Sequence, residues 1–149
     1  MNRGIFLETK DSIKNNLLAI FEEIDLNDKW VYIQEDQAYS ADNNESFFHK
    51  DIYSGFEFKE LISSPHFIIF LNLSIFPNQI SIKQNDSYND YCKSESLLTL
   101  FCTDCCYYEI YIKDQSMIYK LFEFYKKLDC DEIEIITDEN DGRTRFSVW

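Results

Sequence analysis

Glycine and proline are nearly missing from this chain, at three and two residues in 149. That scarcity excludes collagen-like and low-complexity segments and points to packed elements with short connections. Three glycines cannot build a phosphate-cradling loop. Long apolar runs are also missing: the longest, Phe67 to Leu71, is the length of a core strand and far short of the roughly 18 residues of a membrane span. There is no basic stripe interleaved with aromatics, so direct nucleic-acid reading is not expected. Histidine is reduced to His49 and His66. Arg3 is followed within a few residues by Glu8, Lys10 and Asp11, so no signal peptide is legible. The five cysteines are odd in number, and with no export signal they point to a reducing cytoplasm.

What the chain has in quantity is aromatic side chains and carboxylates. Hydrophobic residues make up 45% and aromatics 17%, with thirteen Phe and ten Tyr, enough for one core in a single domain spanning 1–149. Fourteen Lys and Arg stand against 27 Asp and Glu, a net charge of −13. The surplus is divided almost evenly between the two halves, so it is a property of the whole surface and not of a tail. Such a field repels nucleic acid and anionic membrane and attracts cationic partners.

Periodicity gives the elements. Gly4 to Glu8 alternates as a first strand, and Ile13, Leu17, Ile20, Phe21 and Ile24 recur on one face of a helix capped by Thr9 or Asp11. Lys29 to Gln34 reads as a strand, and Glu35 to Lys50 as a long polar loop that either hides a short strand or is functional. Ser54 and Glu57 form a capping box for a short helix ended by Pro65. His66 to Leu73 is apolar enough to be buried on both faces. A short helix is expected within 85–96, strands at 97–102 and 106–113 around a Thr103-Asp104 turn, and the longest helix after the cap Asp114. The last stretch reads as a β-hairpin: Glu132–Thr137 going out, Asp141-Gly142 supplying positive φ at the turn, and Thr144–Trp149 returning, with Glu132 or Glu134 near an arginine. The expected class is α+β: one mixed, mostly antiparallel sheet with helices packed against it, ending in that hairpin.

Arg3-Gly4-Ile5, Trp30, Ile69-Phe70 with Pro77 beyond it, Asp104-Cys105 leading to Ile110-Tyr111, and Ile136-Thr137-Asp138-Glu139-Asn140-Asp141 followed by Arg143-Thr144-Arg145 and Val148-Trp149 resemble a family of small bacterial proteins, domain of unknown function 2691. The likeness runs the length of the chain and is sharpest in its last fourteen residues; Gly142 stands where the family pattern carries threonine. The resemblance implies a small bacterial cytoplasmic protein and attaches no activity to it.

No reactive centre assembles in the sequence. Cys102-Thr103-Asp104-Cys105 has the spacing of a redox or zinc pair, yet it straddles a hairpin turn instead of a helix N-terminus, and a zinc site would lack ligands. Asp138-Glu139-Asn140-Asp141 lacks the glycine and terminal glutamate of a calcium loop. Neither a metal nor another cofactor is expected. The polar strip near the end, Asp138, Glu139, Asn140, Asp141, Arg143, Arg145 and Trp149, is the candidate face for a partner, since Arg and Trp are typical anchors. These features favour a non-catalytic module that grips a basic surface on another protein, as an immunity or inhibitor protein does. One alternative is an enzyme or small-ligand binder with His49 and Asp51 under the 35–50 loop; another is a homo-oligomer pairing through an edge strand.

Overall fold

A computed structural model describes residues 1–9, 16–128, 130 and 132–148. The elements run β1 (Asn2–Glu8), α1 (Asn16–Glu22), β2 (Trp30–Ser40), β3 (Ile52–Ser54), α2 (Gly55–Ile62), β4 (His66–Phe76), α3 (Tyr88–Lys93), β5 (Leu98–Thr103), β6 (Tyr107–Ile112), α4 (Gln115–Lys127) and β7 (Glu132–Thr137). The strands form one open sheet in the order β3-β2-β4-β5-β6-β1-β7. Every adjacent pair is antiparallel, so the fold is α+β and the sheet is not mixed. No helix among the described residues is long and apolar enough to cross a membrane.

Several elements follow directly from local chemistry. Ser54 accepts from the Glu57 amide while Glu57 reaches back to the Ser54 amide, closing the capping box of α2. Asp114 accepts from the amides of Ser116 and Met117 and starts α4, whose last turn carries Lys126 and Lys127 at the negative end of the helix dipole. Asp104 and Cys105 both take positive φ in the three-residue β5–β6 turn.

The sheet has two unlike faces. One carries α1, α2 and α4 over the main core, in which Ile5, Leu7, Val31, Leu73, Leu100 and Ile110 of the strands meet Leu17, Phe21, Phe58, Ile62, Ile118 and Leu121 of the helices. The other face holds a smaller aromatic cluster of Tyr91, Phe101, Tyr111, Ile136 and Phe146. Two covers explain why residues 71–76 of β4 are buried throughout.

The structure decides between two alternatives at one place and corrects an expectation at another. The polar 35–50 stretch is strand as far as Ser40: β2 continues along β4 through irregularities after Ile33 and Gln37, which re-aim its polar side chains. The terminal hairpin does not form. Strand β7 pairs with β1, and the chain beyond it turns at 138–140 and crosses the second face of the sheet, touching the 86–88 segment through one bridge between Ser87 and Arg145. No glycine takes positive φ, so Gly142 is not the hinge of a two-residue turn. The alternation in 144–148 was real, but it reflects a segment lying between aromatic rings and solvent, not a second arm of a ladder.

Gly4 and Gly142 make a sharp contrast. A Cβ at Gly4 would overlap the backbone of Ile110 in the neighbouring strand, whereas a Cβ at Gly142 would meet nothing. Gly4→Ala should therefore lower stability by about 3 kcal/mol or more, since backbone cannot yield as a side chain can. Gly142→Ala should stay within about 0.5 kcal/mol of the parent. Urea denaturation of both variants checks the pair.

Candidate functional site

The segment 138–148 is a strap laid across the sheet, and nearly every strand holds it. At its start the Thr137 amide donates to Asn140 Oδ1 at 2.8 Å and the Asn140 amide donates to Thr137 Oγ1 at 3.2 Å, a reciprocal clasp that ends β7. Arg3, displaced by a register shift between Asn2 and Gly4, meets Asp138 at 2.9 Å and Asp141 at 3.3 Å, and its guanidinium lies 4.0 Å from the Tyr88 ring centroid. The Tyr111 hydroxyl donates to Asp141 at 2.7 Å. Arg143 binds both oxygens of Glu109, at 2.9 and 3.3 Å, and lies 4.4 Å from the Phe101 ring centroid. Phe146 is 1% exposed, with its ring 5.0 Å from Phe101 and 5.1 Å from Tyr111. Asn72 donates to the Phe146 carbonyl at 3.3 Å, and Glu35 accepts from the Ser147 hydroxyl and the Val148 amide, both at 3.2 Å.

The electrostatics match this geometry. Burial opposes the charge on Arg3, but Asp138 and Asp141 outweigh it and its pKa is raised. The Arg3 hydrogen bond, then the N-terminal ammonium, hold Asp138 below the usual carboxylate range. Burial first, and the Asp141 carboxylate second, push the Tyr111 hydroxyl upward.

Of the residues singled out from sequence, Asp138, Asn140, Asp141 and Arg143 are thus brought together, and each is engaged within the chain. Arginine 143 pairs with Glu109 of β6 and not with Glu132 or Glu134, because the strap leaves β7 behind. Glu139 and Arg145 are exposed. Trp149 lies outside the described residues.

His49 and Asp51 are both exposed. Their loop is pinned by Phe47 and Phe48, which are buried, and by the Tyr53 hydroxyl, which accepts from the amides of His49 and Lys50. His66 is buried against Phe47, with its Nδ1 2.7 Å from the Ser64 carbonyl. Burial pushes the Cys102 thiol up to about 12, so it is held as the neutral thiol. Among the described residues no group of three His, Cys, Asp or Glu is placed to hold a metal ion.

Sequence reasoning missed Arg3, Glu35, Asn72, Glu109 and Tyr111 as the strap's partners. A signal was present for some: Asn72 is a lone amide in an apolar run and Glu109 a carboxylate among tyrosines, and buried polar groups need partners.

The strap lies over the Glu35, Asn72, Phe101 and Glu109 part of one row, which register continues through Phe6 to Glu134 across six strands. Past that row, among the described residues, nothing covers the same face. The next row towards the β5–β6 turn holds Thr103, Tyr107, Glu8 and Glu132. Tyr39 and Phe67 pair further along, with ring centroids 5.4 Å apart, and Phe6 stacks on Tyr107 at 6.4 Å. Phe67 and Tyr107 are 42% and 39% exposed. Glu8 and Glu132 face each other directly across β1 and β7, a like-charge pair that costs stability. Glu8 also raises the Tyr107 pKa, chiefly by its charge.

One pH dependence follows from His66. Burial lowers its pKa below 6.5, opposed by the hydrogen bond to Ser64. The folded state therefore favours neutral imidazole, while the unfolded chain takes up a proton near 6.5. Its contribution is complete above that pH and is lost as pH falls through 6.5 towards the folded pKa. Stability measured by urea should drop between pH 7 and 5, and the slope should flatten in His66→Gln.

The comparisons agree with the sequence likeness. The family described as "Protein of unknown function (DUF2691)" matches residues 2–147. A Bacillus subtilis (strain 168) protein described as "Uncharacterized protein YncE" is 29% identical over 153 aligned residues, covering 99% of this chain and all of that relative. No solved structure matches significantly. With almost the whole chain matched, the protein belongs to the DUF2691 family.

Proposed function

We propose that this protein is a non-catalytic binding module that docks on a basic surface of another protein, in the manner of an immunity or inhibitor protein. The observation that carries this reading is the part of the sheet face past the strap where, among the described residues, Tyr107 and Phe6 stand beside Glu8, Glu132 and Glu134. Opposed carboxylates at Glu8 and Glu132 weaken the free protein, and a lysine or arginine arriving from a partner relieves them. Flat aromatic rings beside that cation site supply area and cation–π attraction. The net charge of −13 speeds the encounter with a basic partner and makes it dependent on salt.

The placement of other groups supports binding over chemistry. Cys102 is buried as a thiol, and the His66 ring is committed to Ser64. Asp138, Asp141 and Arg143 are spent on fixing the strap, and the neighbouring face is presented on strands.

The test is paired capture at low salt from a lysate of the native host, using the parent protein and a Glu8→Lys/Glu132→Lys variant as baits. The parent should retain a basic protein that is released by 0.5 M salt, and the variant should retain at least tenfold less. Retention that ignores both the salt and the two substitutions would sink the proposal. As a separate outcome, Glu132→Gln should raise the free protein's stability by a few tenths of a kcal/mol, read from its urea midpoint.

A further inference from the structure

A pocket of about 220 Å³ lies at the opposite end of the strap's face, between the start of β1, α3 and the β6–α4 junction. Tyr88, Tyr91 and Ile112 give it an apolar wall, and Lys113, Arg3 and Gln115 give it a polar one. Most of the polar groups are already committed. Arg3 is held by Asp138 and Asp141, and the Gln115 amide donates to the Asn2 carbonyl at 3.0 Å.

Two groups are not matched in this way. Lys113 folds back so that its ammonium lies 4.9 Å from the Tyr91 ring centroid and 2.6 Å from the Ser94 carbonyl. Although the chain has 27 carboxylates, none among the described residues forms an ion pair with it. Partial loss of water lowers its pKa. The Tyr91 hydroxyl is buried and has no hydrogen-bond partner among the described residues, and such a group costs stability while it stays unmet. Tyr91 and Lys113 both line the same pocket.

We propose that this pocket binds a small monocarboxylate with a flat apolar body, its carboxylate on Lys113 and the Tyr91 hydroxyl and its body against Tyr88 and Ile112. The size fits: a cavity of roughly 150 Å³ accepts benzene, and this one leaves added room for a carboxylate. The charge fits as well. Arg3 and the N-terminal ammonium of Met1 are paired with aspartates, so Lys113 is the cation of the lining with no carboxylate partner among the described residues, and it matches one negative charge; a dianion would meet the protein's overall negative field more strongly. This site is independent of the docking face and stands or falls apart from it.

Benzoate is the probe, with benzamide as its neutral counterpart and inorganic phosphate as the dianion. Each is titrated into the full chain and followed by amide chemical shifts. Benzoate should give saturable shifts centred on Tyr91, Lys113 and Gln115, and should bind at least tenfold more tightly than benzamide or phosphate. Lys113→Met should weaken benzoate at least tenfold, and Lys113→Arg should restore much of the loss. Tyr91→Phe should weaken it severalfold while the urea midpoint stays level or rises, because an unmet buried hydroxyl has been removed. Equal binding of benzoate and benzamide, shifts that map elsewhere, or unchanged affinity in Lys113→Met or Tyr91→Phe would overturn the assignment.

Discussion

The structure depends on the clamping of a strap across a sheet by ion pairs that are themselves covered by rings. Arg3 and Arg143 each bridge a strap or strand carboxylate and lie over an aromatic face, Tyr88 for one and Phe101 for the other. Neither arrangement is a surface pair of the weak kind. The guanidinium groups are partly shielded from water, hydrogen-bonded in fixed geometry and packed on carbon. Removing one partner would strand a charge next to the aromatic cluster, so the network acts as one unit and its members are coupled. Phe146 packs against both rings that the arginines cover, Tyr88 at 6.0 Å and Phe101 at 5.0 Å, and its burial gives the clamp its apolar share.

This constraint explains the division of labour between the two faces. The helix face is an apolar core of branched aliphatic residues interleaved with rings such as Phe21 and Phe58. The strap face mixes rings, carboxylates and amides because its cover is extended chain outside any ladder, whose backbone is met by the 86–88 segment, by the strap itself and by strand side chains such as Asn72 and Glu35. Among the described residues the strap does not reach the row of Thr103, Tyr107, Glu8 and Glu132, which keeps the same aromatic and acidic character.

How much of this was legible in the residues depends on range. Local chemistry was readable: the Ser54 and Glu57 box, the Asp114 cap, the turn at 104–106 and the apolar runs of β4 and β5 all appear as their residues require. The terminal hairpin was misread because alternation in 144–148 specifies a two-sided extended segment and says nothing of what lies on either side. The partner of β7 is β1, more than a hundred residues away, and no local pattern encodes that pairing. Likewise the polarity of residues 35–40 looked like a loop, when it belongs to a strand whose side chains meet the strap. The charged motif at 138–143 was singled out as a face for a partner, and the residues that engage it within the chain, Arg3, Tyr111 and Glu109, could be named only once the strands were ordered.

The position of β1 bears on how the chain reaches this state. Its two neighbours are residues 107–112 and 132–137, so the first strand can enter the sheet only when sequence from the far end is at hand. Closing so wide a loop is entropically slow, and it favours a folding reaction in which β2, β4, β5 and β6 assemble early as a meander and β1, β7 and the strap dock together late. During that interval the rings of Phe101 and Tyr111 face water, and the nascent protein is at its most adhesive.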